Sequence, residues 1–220
     1  MVESIWRKGK LFGFMLLAGI LLMAKPALAD SYYPYEIQGY DVTVKVGKDN
    51  VYHVTERLQV NFNQARHGIY RDIPVINNVS REDGSTSRIQ ARVTNIKTYG
   101  EKRTVGREGS YCRIQLGDKN KTLVGEHMYH ISYDYNMGKD VRKGEDEFYY
   151  NIIGTSWDTT IQNVTFHIMM PEDIDESKVG MAYGESGSTN NEGLQYTING
   201  KVMEGYVDSS IILNPGEAVT

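Results

Sequence analysis

The chain is poor in the residues that would brace a small exported domain from outside its core. Its 220 residues include one cysteine, Cys112, and five prolines. One cysteine cannot close a disulfide within the chain, so stability must come from a packed core, which a chain of this length can build. Cys112 alternates with Ile114 and Leu116, which predicts a buried apolar residue rather than a nucleophile, since no base stands beside it in a recognisable motif. There is no H-E-x-x-H pair or other zinc spacing, no phosphate loop and no G-x-S-x-G elbow. Of the five histidines, His127 and His130 are the closest pair, and that spacing puts them on opposite faces of a strand. No metal, no cofactor and no catalytic residue is therefore expected. No stretch beyond the N-terminus keeps a helical apolar period, which excludes a helix bundle.

The N-terminus has a basic start (Arg7, Lys8, Lys10), a 14-residue apolar run from Leu11 to Ala24, and Ala27-Leu28-Ala29. These are the three parts of a signal peptide, with cleavage expected after Ala29. An uncleaved anchor is the alternative, but the run is shorter than the roughly 20 residues that span a bilayer. Four bases and one acid (Glu3) leave with residues 1–29, which takes the net charge from −4 to −7. An acidic chain lacks the basic patches that bind nucleic acid, and it gains nothing by charge from anionic lipid.

Strand patterns fill the rest. Tyr40, Val42, Val44 and Val46 alternate with polar residues. A Gly47-Lys48-Asp49-Asn50 turn follows, and Tyr52, Val54, Glu56, Leu58, Val60 and Phe62 alternate on the way back. Further alternation marks Ile89–Val93, Tyr111–Leu116, His127–Asn136 and Val164–Met170, with Phe148–Ile153, Leu194–Ile198, Val202–Val207 and Ser210–Leu213 as shorter candidates. Asn77–Ser87, Gly100–Gly109 and Gly138–Glu147 read as polar or charged loops. The fold class is all-β: an antiparallel β-sandwich of about ten short strands. It forms a single domain over residues 30–220. The last residues follow a turn where another strand is due, so the chain is expected to stop short of a membrane segment.

Within this pattern Arg66-His67-Gly68-Ile69-Tyr70-Arg71-Asp72-Ile73-Pro74 packs two arginines, a histidine and an acid into nine residues. Arg66 and Arg71 are candidates to clamp a carboxylate or phosphate, and His67 and Asp72 beside them are further binding candidates. The favoured reading is structural, an ion-pair cluster at a strand-to-loop corner. Glu56 supports it, because a carboxylate in line with Val54 and Leu58 needs a cationic partner, and Arg66 or Arg71 is the nearest supply. Trp157 and Asp158 are further binding candidates. Glu145, Asp146 and Glu147 with Asp158 have the residue types for glycoside hydrolysis or a hard cation, but a run of acids in a loop is ordinarily solvated. All sixteen tyrosines follow the signal peptide. They raise a glycan-stacking reading, although most fall in strand alternation.

His53-Val54-Thr55-Glu56, Arg66–Pro74, Asp146–Asp158 and Leu213-Asn214-Pro215-Gly216-Glu217 together resemble the N-terminal extracytoplasmic domain of a family of bacterial predicted membrane proteins, domain of unknown function 2207. The resemblance covers nearly all of the chain after the signal peptide. It implies a β-rich domain followed by transmembrane helices. It carries no activity, because the family has no established catalytic residues. The functional expectation is a non-enzymatic module that contacts other cell-envelope or membrane proteins, with no small-molecule ligand identifiable. A glycan-binding or glycan-cleaving surface domain is the alternative.

Overall fold

The computed structural model describes residues 33–80, 86–138 and 147–220. The expected signal peptide and Glu145-Asp146 lie outside these. Two long alternating segments form the spine. β1 (Tyr35–Val46) and β2 (Val51–Arg66) pair antiparallel around the predicted turn, and β2 pairs on its other side with β9 (Leu123–Asn136). Between β2 and β9 the chain makes β3 (Gly68–Pro74), a hairpin of β4 (Ile76–Ser80) and β5 (Thr86–Gln90), then β6 (Arg92–Thr98), β7 (Arg103–Glu108) and β8 (Tyr111–Gly117). After β9 come β10 (Val164–Met169), β11 (Tyr183–Gly184), β12 (Leu194–Asn199), β13 (Val202–Val207) and β14 (Ala218–Val219).

The main sheet has seven strands in the order β12-β13-β10-β1-β2-β9-β6. A three-stranded sheet, β3-β8-β7, supplies Ile69, Ile73, Ile114 and Leu116 to the same core. The inward face of the main sheet contributes Val42, Val44, Leu58, Val60, Ile131 and Phe166, all buried. The protein is nearly all β and sandwich-like, as the alternation predicts.

The details depart from expectation in informative ways. The three central strands are long, at 12, 16 and 14 residues. β1 pairs with β10 in parallel, Tyr40 beside Val164, a long-range pairing that local alternation does not encode. The expected loop at 100–109 contains β7, every residue of which is exposed. It is an edge strand that pairs on one side with β8 and faces water on the other, where Arg103, Arg107 and Glu108 keep the open edge charged. The expected loop at 77–87 instead supplies arms of the β4–β5 hairpin.

Phe148–Ile153 is not a strand. It lies irregularly against the core, and only Ile153 bridges, to Val219. A continuous apolar run buries itself without alternating, so periodicity cannot separate these cases. Ser210–Leu213 likewise forms no strand beyond a bridge from Leu213 to Ile161. Cys112 faces Ile73 across the β3–β8 pair but is only half-buried. Burial, with the charge of Asp72 second, pushes its thiol up.

The Arg66–Pro74 stretch does hold a corner, but it leads from strand to strand rather than from strand to loop: Arg66 ends β2, His67 is a bend, and Gly68–Pro74 forms β3. Gly68 opens β3 opposite Gly117 of β8, both at φ +136°. A Cβ at Gly68 would stand 1.8 Å from the Leu116 carbonyl oxygen, and one at Gly117 2.0 Å from that of His67. The R-H-G sequence therefore needs its glycine: the two backbones touch there.

Candidate functional site

The main polar constellation begins on β2. The alternation that buries Val54 and Leu58 also carries Glu56 inward, where it is 0% exposed. On β3 the inward parity is Ile69, Arg71, Ile73, and Arg71 is 2% exposed. The two strands face each other across the core, so two charges meet in a space that excludes water. Arg71 donates from Nε to Glu56 Oε2 at 2.9 Å and from Nη2 to Oε1 at 2.8 Å. Tyr40 of β1 donates to Oε2 at 3.0 Å and Tyr133 of β9 to Oε1 at 2.6 Å. The remaining Arg71 nitrogen, Nη1, donates to the Asp72 carbonyl at 2.8 Å.

Each carboxylate oxygen thus accepts two hydrogen bonds, and every guanidinium nitrogen finds an acceptor. Burial pushes the Glu56 carboxyl up, but the charge and hydrogen bonds of Arg71, joined by those of Tyr133 and Tyr40, outweigh it and hold it below the usual carboxylate range. Burial opposes the charge on Arg71 too, and the Glu56 carboxylate more than restores it. Burial and the Glu56 charge push the Tyr133 phenol upward, and it stays a proton donor.

Trp157 completes the wall. Its ring lies 5.7 Å from the Arg71 guanidinium carbon and meets Tyr40 edge-on at 5.7 Å. It is 4% exposed, so Trp157 is a core residue and offers no stacking face, which corrects its place among the binding candidates. Six of the tyrosines are buried with it (Tyr35, Tyr40, Tyr52, Tyr129, Tyr133, Tyr135).

The other candidates separate. Asp72 points to the opposite face of β3 and takes a bidentate ion pair from Arg113 of β8, at 2.8 and 2.7 Å. Asp158 is exposed and accepts from the Tyr35 hydroxyl at 2.6 Å. His67 is exposed, with Nδ1 2.7 Å from the Lys121 carbonyl. Arg66 is half-buried, its guanidinium 5.3 Å from the centre of the Tyr35 ring.

Of the two arginines offered for Glu56, Arg71 is the partner. The sequence signal that identifies it is parity, since Arg71 alternates with Ile69 and Ile73. Tyr40, Tyr133 and Arg113 were missed as partners; the first two share the inward parity of their strands and were legible only as core. Glu147 lines a pocket of about 600 Å³ whose wall mixes apolar side chains such as Phe148, Met170 and Ile174 with the charged Glu172, Asp173, Asp175 and Lys178. Among the described residues no three histidine, cysteine or acidic side chains gather in a way that holds a metal. No helix among them is long and apolar enough to cross a membrane.

Residues 36–212 match the family described as predicted membrane protein (DUF2207) N-terminal domain. The uncharacterized protein YciQ of Escherichia coli (strain K12) is 24% identical over 190 residues, covering 81% of this chain and 30% of that protein. The chain thus spans under a third of the length of that relative. Among solved structures, the M1 zinc metallopeptidase from Deinococcus radiodurans aligns at a TM-score of 0.40 and 9% identity, over 84% of this chain and 42% of that one. Leukotriene A4 hydrolase from Saccharomyces cerevisiae aligns at 0.43 and 6%, over 89% and 32%. Those likenesses are too slight to carry anything about this chain. The sequence match over the sandwich is what assigns it: the chain belongs to the DUF2207 family of predicted membrane proteins, whose N-terminal domain it contains.

Proposed function

We propose that the chain is a non-enzymatic, extracytoplasmic interaction module of a bacterial membrane protein, contacting other components of the envelope. The observation that carries this reading is the saturation of Glu56 and Arg71. A general acid or base must reach a proton on its substrate, whereas these groups are spent on each other and on two tyrosines inside the core. The outward face of the main sheet supplies surface instead. Exposed Met128 and Tyr206 stand there among exposed polar side chains such as Arg57 and Gln59. Apolar side chains within a polar surround suit a reversible protein contact. The basic, apolar and small-residue succession at the N-terminus supports export.

The test uses a photo-crosslinking residue at Met128 in the full-length membrane protein in living cells, with exposed Glu185 as the control position. A discrete crosslinked product from position 128 and not from 185 is expected. A cysteine at exposed Val105, in a Cys112→Ser background, should react with a membrane-impermeant maleimide before lysis. Labelling only after lysis, or crosslinking alike from both positions, would sink the proposal.

A further inference from the structure

Glu56 uses Arg71, and among the described residues Arg66 is left with no acid. Among the described residues the Arg66 guanidinium makes no hydrogen bond and no ion pair; its recorded neighbour is the Tyr35 ring. Five N–H donors on a half-buried arginine are an unspent resource, since such a group is ordinarily paired when water is partly excluded. Arg66 lines a pocket of about 320 Å³ with Gln64, His67, Tyr70, Gln115 and Pro34. Among the described residues no aspartate or glutamate lines it, although the chain is acidic overall at a net −4. Asp158, which is bonded to the same Tyr35, is not part of the wall.

The shape of this wall is fixed. His67 has Nδ1 against the Lys121 carbonyl. A nitrogen facing a carbonyl oxygen must carry the proton, so Nε2 is the atom left for a ligand, and it donates when the ring is protonated. Behind His67 the Gly68–Gly117 contact locks the backbone of β3 against β8. Arg66 and His67 are consecutive in the chain but sit across the junction from β2 to β3, where the β2–β9 register slips between Phe62 and Arg66. The slip takes Arg66 out of the inward series that ends at Phe62.

We propose that this pocket binds a phosphate group, gripped by Arg66 and seconded by His67. A guanidinium fork matches two phosphate oxygens. With the five donors of Arg66, the side-chain amides of Gln64 and Gln115 offer more donors than the two oxygens of a carboxylate would use, whereas a phosphate group carries further oxygens. The group can come from a free phosphate or from a lipid headgroup, and the test separates these sources.

Inorganic phosphate is titrated into the isotope-labelled chain at constant ionic strength, with amide resonances followed by NMR. A second arm uses vesicles containing phosphatidylglycerol against vesicles of phosphatidylcholine alone. Saturable shifts centred on residues 64–70 and 115–117 are expected. Arg66→Gln should weaken binding about tenfold or more, the worth of one charge-assisted contact, and His67→Ala about threefold, as a weaker second donor. Both variants should keep the wild-type thermal midpoint. Shifts with phosphatidylglycerol but not with inorganic phosphate identify the headgroup as source and uphold the site. Arg66→Lys keeps the charge without the fork and serves if Arg66→Gln does not fold; it too should bind more weakly than wild type. The proposal is overturned if neither probe shifts these residues, or if the substitutions leave the affinity unchanged. Acetate shifting the same residues as strongly as phosphate also overturns it.

Discussion

Glu56→Gln tests the organisation of the core more sharply than any other single change. The substitution keeps the shape and removes the charge. Each oxygen of Glu56 accepts one bond from Arg71 and one from a tyrosine. A glutamine offers one oxygen and one NH₂. The tyrosine on the NH₂ side can turn its hydroxyl to accept, but the arginine nitrogen there cannot. Whichever way the amide is placed, one arginine bond is lost and a donor faces a donor. Arg71 then stays a full charge in a site where it is 2% exposed. Removing one partner of a buried pair costs about 3–5 kcal/mol. In a domain of this size each kcal/mol moves the midpoint by about 2–4 °C, so the thermal midpoint should fall by about 6–20 °C. Circular dichroism melts with parallel urea titrations read both quantities. A double-mutant cycle with Arg71→Met guards against a trivial volume effect. The pair should show about 2 kcal/mol or more of coupling, because losing both charges together removes the uncompensated one. A midpoint unmoved by Glu56→Gln, or single effects that add within about 0.5 kcal/mol, would refute the reasoning.

Four further outcomes follow from the same geometry. Because Glu56 titrates below its usual range when folded, its stabilisation is complete above the usual carboxylate range and is lost as pH falls through the depressed folded value. The melting temperature should therefore drop on acidification below about pH 4, and more steeply in wild type than in Glu56→Gln. Tyr133→Phe removes the 2.6 Å hydrogen bond to Oε1 and should cost about 1.5–3 kcal/mol in urea unfolding, as for a bond to a charged group. Gly68→Ala drives a Cβ into the Leu116 carbonyl at φ +136°, with an expected loss of about 1–3 kcal/mol by the same assay. Asp72→Asn breaks an equally well-formed arginine pair, but the Arg113 side chain is 36% exposed, so the cost should stay below about 1 kcal/mol.

The sequence carried the fold class because the decisive signal is local. Period-two alternation in 40–62 and 127–136 survives into β1, β2 and β9. It failed where pairing overrides pattern. β7 forms because β8 offers it a ladder, not because Arg103–Glu108 alternates. Phe148–Ile153 shows the reverse: apolar enough for a strand, it is drawn onto the core without one. The parallel β1–β10 pairing joins positions more than a hundred residues apart, Tyr40 with Val164, and nothing in either strand announces the other. At the site, Glu56 was visible as a polar interruption of an apolar face. Its tyrosine partners were hidden because Tyr40 and Tyr133 look like ordinary core residues until their hydroxyls are placed.

Arg66 and Arg71 show most directly how position decides the chemistry of identical side chains. Five residues apart, they are indistinguishable by type. Arg71 sits in an unbroken strand, so parity commits it to the core, and the cost of burying it is met by one carboxylate and a carbonyl. Arg66 sits beyond a register slip, so the parity that buried Phe62 no longer binds it, and it stays half-exposed against Tyr35. A buried arginine with all its donors spent can only hold the fold together. One with its donors unspent, beside a pocket that no acid among the described residues lines, can recognise something else, because forming contacts there breaks no hydrogen bond or ion pair among those residues. The two tasks are separable on this reasoning: Arg66→Gln should alter binding without altering the melt, and Arg71→Met should do the reverse, lowering the melting temperature while the folded protein keeps its affinity.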